Sequence, residues 1–341
     1  MEIQFSQQRT QICAITNGES RPTEASRERF FAIQQGKESL LTHIAILRCE
    51  KLPSFITWEI PNWDELFEED NLLIRGFEAQ GFQASPVVWS DPNIDWNQFD
   101  IALIRSTWDY LDASEHFLNV LSKIESSSCK LFNPLSVVRW NMDKRYLLEL
   151  GKQGVQIIPT FITSHVELNT LHKLFTENQW KTVIVKPTVG LAASNTYRIS
   201  LDTLENTLTK LRTVQPSSEY LIQPFIASIT TEGEWSFIYF NRQLSHVLLK
   251  RPAPNDYRVQ GIYGGTIQAS EPHSHDLLQA EAVLDSLPAN ILYARLDFVR
   301  VGDQLSVMEV ELIEPIFSFN LVPESVERFV NATTIKLGNH P

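Results

Sequence analysis

Tyr293-Ala-Arg-Leu-Asp-Phe-Val-Arg300, then Gly302-Asp303, then Leu305-Ser-Val-Met-Glu-Val-Glu-Leu-Ile-Glu-Pro315 is the stretch that decides the fold. Both runs are rich in Val, Leu, Ile and Phe, and Gly-Asp supplies turn chemistry between them, so the spacing predicts a β-hairpin. Side chains alternate along a strand, which would put Leu305, Val307, Glu309, Glu311 and Ile313 on one face. Asp297 lies between Leu296 and Phe298 and points away from both. Carboxylates on adjacent strands, set among apolar neighbours, repel and desolvate one another. They persist around a divalent cation or against a Lys/Arg cluster. Oxygen-only ligands favour Mg²⁺ or Mn²⁺ and suggest phosphate as the other partner. The same pattern also reads as a salt-bridged sheet surface.

Working outward, residues 219–332 are mostly strands, expected at 220–226, 235–240 and 243–250, with one helix at 275–285. A second section, 133–218, carries a helix starting near Met142, a strand at 157–162 and a helix at 167–177. The apolar strand 182–186 and a helix at 201–211 complete it. Residues 42–132 read as strand 43–49, a helix at 69–80 stopped by Gly81, strands 83–89 and 100–105, and a helix at 113–125. This alternation predicts an open α/β layer with ligands beyond the strand carboxyl ends, where Arg105-Ser-Thr-Trp-Asp-Tyr110 lies. Residues 1–41 are polar and aperiodic and read as a mobile extension; 333–341 read as a tail.

The 341 residues carry a formal net charge of −12, which argues against a general nucleic-acid binder. Cys13, Cys49 and Cys129 have no paired spacing, so neither a disulfide framework nor a zinc site is indicated. No apolar run is long enough for a membrane span, and no basic-then-apolar signal pattern opens the chain. A cytoplasmic enzyme is the expectation.

Several short constellations carry chemistry. Lys186 ends an apolar strand and must reach an anion or water. Lys144 lies at an expected helix start, where a cation gains nothing from the macrodipole. The small, uncharged loop 188–196, beginning at Thr188, could close over phosphates. Pro224 interrupts the strand around Gln223, Phe225 and Ile226, leaving backbone groups free, as an adenine-reading hinge requires. Lys250, Arg251 and Arg258 gather near Gly264-Gly265, a setting for an anionic centre. Each of these also reads as ordinary surface or edge structure.

In this order, from the helix-start lysine to Asp and Glu-x-Glu on a closing hairpin, the motifs resemble the ATP-grasp superfamily over about residues 43–332. The likeness is closest to ligases of the glutathione synthetase and ribosomal-protein glutamate ligase type. Arg105–Tyr110, Arg139-Trp-Asn-Met-Asp-Lys144 and Leu249-Lys-Arg-Pro252 also look like the O-ureido-serine cyclo-ligase branch.

The resemblance implies an N-terminal α/β domain followed by two α+β subdomains clasping ATP. Lys144 and Lys186 would hold the α- and β-phosphates, Gln223, Phe225 and Ile226 the adenine, and Glu234 would lie near the ribose or catalytic centre. Thr188 would belong to the phosphate loop. Asp297, Glu309 and Glu311 would bind Mg²⁺. Arg258, Lys250 and the backbone of Gly264 and Gly265 would stabilise the acyl phosphate. Arg105, Ser106, Thr107, Trp108 and Arg251 would meet the substrate. Most relatives have Glu-x-Asn where this chain has Glu309-Val-Glu311, which should tighten metal binding. Small carboxylate and amine substrates follow, and a homo-oligomer is compatible with such relatives. The alternatives are an ATP-binding sensor or assembly factor, or a phosphotransferase, of the same fold.

Overall fold

The computed structural model describes residues 42–338, apart from 55, 57–62, 192 and 215–218. The expected mobile extension and Cys13 lie outside the described residues. Strand β1 (His43–Arg48) is an apolar run, and helix α1 (Glu68–Ala79) buries Leu73 and Phe77 one turn apart. The chain leaves α1 through Gly81, whose φ of +83° a glycine adopts freely. Then follow β2 (Gln83–Val88), β3 (Ile101–Ser106), α2 (Ser114–Glu125) and β4 (Lys130–Phe132). In α2, Phe117, Val120, Leu121 and Ile124 fall on one face and cover the sheet. The four strands pair in parallel in the order β2-β1-β3-β4. Strands β2 and β3 thus flank β1, a reversal that opens a crevice at the carboxyl ends.

Helices α3 (Leu135–Asn141) and α4 (Tyr146–Lys152) lead into a second sheet. It contains β5 (Phe161–Thr163), then α5 (Leu168–Glu177), β6 (Thr182–Pro187), β7 (Tyr197–Ser200), α6 (Leu204–Val214) and β8 (Tyr220–Pro224). The antiparallel order is β5-β8-β6-β7. Since β8 pairs with β6, the expected division at 218/219 cuts through this sheet; the chain leaves it only after Pro224. The strand expected at 157–162 is confined to β5, and Ile157 instead bridges to Val307.

After a single turn, α7 (Ser228–Thr231), the largest sheet begins with β9 (Glu234–Phe240) and β10 (Gln243–Arg251). It continues with β11 (Thr266–Ala269), helix α8 (Ser274–Asp285), β12 (Tyr293–Val301) and β13 (Gln304–Glu311). Its antiparallel order is β11-β10-β9-β12-β13. The expected tail at 333–341 is corrected up to Gly338, because helix α9 (Glu324–Gly338) runs through it. Phe329, Val330 and Ala332 of α9 share a core with Leu73 and Phe77 of α1, tying the last helix to the first layer.

The β12–β13 hairpin forms as expected, turning at Gly302, whose φ is +61°. Its faces differ from the expectation. Asp297 pairs with Glu309 but Phe298 pairs with Val307, so Met308 is an extra residue, a β-bulge. The bulge reverses the alternation: Leu305 and Val307 join Leu296 and Phe298 in the core, whereas Glu309 and Glu311 face the opposite side with Asp297. A strand of strict parity would have buried the carboxylates with the apolar residues.

Candidate active site

A cavity of about 590 Å³ is lined by residues of the two antiparallel sheets and by connecting segments of the first layer, among them Leu52, Leu66 and Trp108. Arg295 and Asp297 of β12 face it, and the bulge in β13 turns Glu309 and Glu311 to the same side. Strand β13 is an edge strand, and side chains satisfy its outer backbone. Asn141 donates to Val310 O (2.8 Å) and accepts from Leu312 N (2.8 Å). Tyr146 Oη accepts from Val310 N at 2.9 Å. These two anchors fix the α3–α4 turn, and Lys144 between them reaches Glu309 Oε1 at 3.2 Å. Lys144 therefore lies in a turn before α4 rather than in a helix's first turn. Its Nζ also donates to Gly190 O (2.7 Å), and its backbone N–H to Thr188 O (2.8 Å).

Lys186, at the end of β6, lines the same cavity; burial pulls its pKa down, with Glu309 opposing. Lys250 Nζ sits between Glu234 (2.9 Å) and Asp297 (3.5 Å). Arg295, two residues before Asp297 on the same strand face, clasps Asp297 (2.8 Å) and also pairs with Glu311. Burial opposes the ionisation of Asp297, yet Arg295, Lys250 and Ser236 hold its pKa down at about 2. Lys144 and Lys186 hold Glu309 below the usual carboxylate range, again against burial. Burial pushes Glu311 up to about 7, only partly offset by Arg295. Glu314, beyond the strand, is pushed up to about 8 by burial and then by Glu311. Burial also raises Glu234, against Lys250.

Of the residues singled out in the sequence, Lys144, Lys186, Gln223, Phe225, Ile226, Glu234, Lys250, Arg258, Asp297, Glu309, Glu311 and Trp108 all line this cavity. The others do not. Thr188 is buried and contributes backbone contacts, to Lys144 and to Glu219. The N–H groups of Gly264 and Gly265 are spent on Gly261 O (2.9 Å) and Gln260 O (3.3 Å), so they are not free for an oxyanion. Gly265 instead lets the chain cross itself, since a Cβ there would lie 2.1 Å from Val259 O.

Arg251 is exposed at the end of β10. Arg105 is the bulged residue where β3 pairs with β1, and the bulge aims it away from the cavity. Its guanidinium lies over the Phe317 ring (4.2 Å to the centroid) and donates to Pro315 O at 2.9 Å. Ser106 donates to Asp70 (3.0 Å), and Thr107 is fully buried. Arg258 is held in a fork by Asp256 (2.7 Å) and lies over the Tyr263 ring (3.7 Å). Gln223 donates to Thr160 Oγ1 (2.9 Å), and Phe225 lies under Arg198 (3.9 Å).

Two charged residues that line the cavity, Arg295 and Glu314, were not singled out in the sequence. Arg295 was legible as Arg-x-Asp, since a two-residue step keeps both side chains on one strand face. Glu314 lies past the end of β13, where strand alternation says nothing.

The oxygen-only donors Asp297, Glu309 and Glu311 suit a hard divalent cation. Among the described residues, however, no three such side chains converge as a ready-made metal site. Each is turned onto a cation of the chain, so a metal would have to take the place of Arg295 and Lys144. The extra charge of Glu311, expected to tighten metal binding, is instead met by Arg295.

An α/β layer followed by a small and a large antiparallel sheet that share a cavity of lysines and carboxylates defines the fold of the ATP-grasp ligases. The chain is related to D-cycloserine synthetase. Residues 44–133 match the family described as D-cycloserine synthetase DcsG, N-terminal domain. The cycloserine biosynthesis protein DcsG of Streptomyces lavendulae is 25% identical over 279 residues, 78% of this chain and 92% of that protein. The crystal structure of D-cycloserine synthetase DcsG superposes with a TM-score of 0.74 at 23% identity, covering 86% of this chain and 99% of that one. D-alanine–D-alanine ligase from Bacillus anthracis, complexed with ATP, gives a TM-score of 0.61 at 14% identity, with 87% and 97% covered.

Proposed function

We propose that this chain is an ATP- and Mg²⁺-dependent ligase that joins a carboxylate to an amine through an acyl phosphate. The observation that carries the proposal is the meeting of Lys144, Lys186, Asp297, Glu309 and Glu311 in one cavity, drawn from three elements far apart in the chain. A carboxylate oxygen of the substrate attacks the γ-phosphorus of ATP, and ADP leaves. An amine then attacks the acyl carbon, the C–N bond forms, and the C–O bond to phosphate breaks.

No protein nucleophile is needed. Lys144 and Lys186 exchange Glu309 for the α- and β-phosphates, while Gln223, Phe225 and Ile226 at the sheet-to-sheet crossing frame the adenine. Asp297, Glu309 and Glu311, once released from Arg295 and Lys144, would hold the metal, which would supply neutralisation of charge for phosphoryl transfer. Lys250 and Arg295 keep Asp297 ionised. Arg258 and Trp108, which line the same cavity, orient the substrate carboxylate and its apolar part.

The substrate is amino-acid-like or a small peptide, and the amine belongs either to a second molecule or to the same one. The relation to D-cycloserine synthetase supports this substrate class. A cytoplasmic setting fits such a reaction; among the described residues no helix is long and apolar enough to cross a membrane.

The test is ADP release with Mg²⁺-ATP across a panel of amino acids and dipeptides, with product analysis. Amide or lactam formation stoichiometric with ADP supports the proposal. A stable phospho-product indifferent to added amine would assign a phosphotransferase instead.

A further inference from the structure

The cavity carries apolar side chains at both ends, and adenine accounts for one of them. Val299 of β12 and Met308 of β13 pack in a cluster that includes Phe225 and Ile226, assigned above to the adenine. From Met308, β13 runs past Glu309 and Glu311, and antiparallel β12 places Asp297 and Arg295 alongside them. Beyond these charges Arg295 Nη1 donates to Ile316 O at 3.2 Å, so Ile316 marks the other end. There the chain abuts the first layer: Arg105 donates to Pro315 O (2.9 Å) and Glu69 accepts from Phe317 N (2.9 Å).

The first layer adds an apolar wall. Leu52 and Pro53 follow β1, Leu66 precedes α1 and Trp108 follows β3, beyond the carboxyl ends of parallel strands, where such layers take their ligands. With Ile56 these are the first-layer residues that line the cavity among those described, and none carries a charge. The wall is held in place and left open. Trp108 stacks on Phe67 with ring centroids 5.9 Å apart, and the Arg48 guanidinium lies 5.1 Å from the Phe67 centroid. Ile316 is 51% exposed although Pro315 and Phe317 on either side of it are buried. An apolar side chain fixed in this way and left open to a cavity is stabilised when an apolar group covers it.

We propose that the acid activated in this cavity carries an apolar side chain, and that Leu66, Trp108 and Ile316 select it. The inference rests on the ligase reading above and names the substrate class of that same site. The substrate carboxylate must lie beside the transferring phosphoryl group, in the charged middle of the cavity. The rest of the acid then extends towards Ile316 and the first layer. A polar side chain there would give up water for a wall whose side chains offer it one indole N–H, whereas an apolar one covers surface that is otherwise open. This also gives Arg105 a place: from behind the wall it holds the backbone that carries Ile316.

Donors of nearly equal shape test the selection: leucine against asparagine and methionine against glutamine, each as both enantiomers. ADP release from Mg²⁺-ATP is followed with hydroxylamine as the acceptor. For the enantiomer that is used, the apolar member of each pair is expected to have the higher kcat/KM, by about 10–200-fold. Ile316→Asn and Leu66→Asn should each narrow that ratio about tenfold, mainly by raising KM for the apolar donor. Ile316 is half exposed, so its replacement spares the core, and the comparison of donors on the parent needs no variant.

Asparagine and glutamine used as well as their apolar counterparts would overturn the proposal and leave the ligase reading standing. A loss in the variants that is equal for both members of a pair marks a structural role and overturns the assignment of these residues. Absence of ADP release with every donor overturns the ligase reading, and the substrate class with it.

Discussion

Residue by residue, the cavity is a balance of buried charges, and its weakest point is Arg295. Removing it leaves Asp297 and Glu311 without their main cation, and an unpaired buried charge is expensive. Arg295→Ala should therefore lower stability by about 3–5 kcal/mol, read as a fall in Tm and in the denaturant midpoint. Arg251→Ala, at an exposed position, should change it by less than about 0.5 kcal/mol. Equal effects of the two substitutions would contradict the ion-pair network.

Asp297→Asn is expected to abolish ADP release, by at least about 10²-fold, while far-ultraviolet circular dichroism stays unchanged. Normal turnover in that variant would remove Asp297 from the metal site. Sequence alone found most of the charged side chains in the cavity because Lys, Asp and Glu in apolar runs are conspicuous. It misplaced Arg105, Arg251 and the Gly264-Gly265 pair because their surroundings depend on a bulge, a strand end and a chain crossing that composition does not reveal.

The elements show where local pattern suffices and where it fails. The parallel layer was legible because β1 and β3 are short apolar runs and α1 and α2 each carry one apolar face. The face of β13 was not, since one extra residue, Met308, reverses every side chain on one side of it. Deleting Met308 should restore strict pairing and turn either the apolar residues or the carboxylates to the wrong side. The expected result is loss of ATP binding by calorimetry together with a Tm lowered by several degrees. Unchanged ATP binding would mean that the bulge does not set the cavity wall. Strand β8 and helix α9 were assigned to the wrong units for a different reason: pairing partners and docking surfaces are long-range facts. Only the register of β8 with β6, and the contact of α9 with α1, reveal them.

Across the whole molecule, a buried carboxyl in the first layer makes stability depend on pH. Burial pushes Asp70 up to about 7, against an ordinary value of 3.8, with Arg105 and Ser106 opposing. The folded state then keeps a proton that the unfolded chain has released. The stabilisation from this group is full below the unfolded value and is lost as pH rises towards 7. Asp70→Asn should match the parent near pH 4 and exceed it at about pH 8, by at most about 4 kcal/mol, in a Tm series. A difference that does not grow with pH would place Asp70 in the ionised state throughout.

Lysines and carboxylates from separate parts of the chain share a single cavity. The direct measurement is a crystal structure with Mg²⁺ and a non-hydrolysable ATP analogue. The expected result places the phosphates against Lys144 and Lys186, the metal on Asp297, Glu309 and Glu311, and the adenine beside Gln223, Phe225 and Ile226. Analogue bound elsewhere, with Arg295 and Lys144 still paired to those carboxylates, would contradict it.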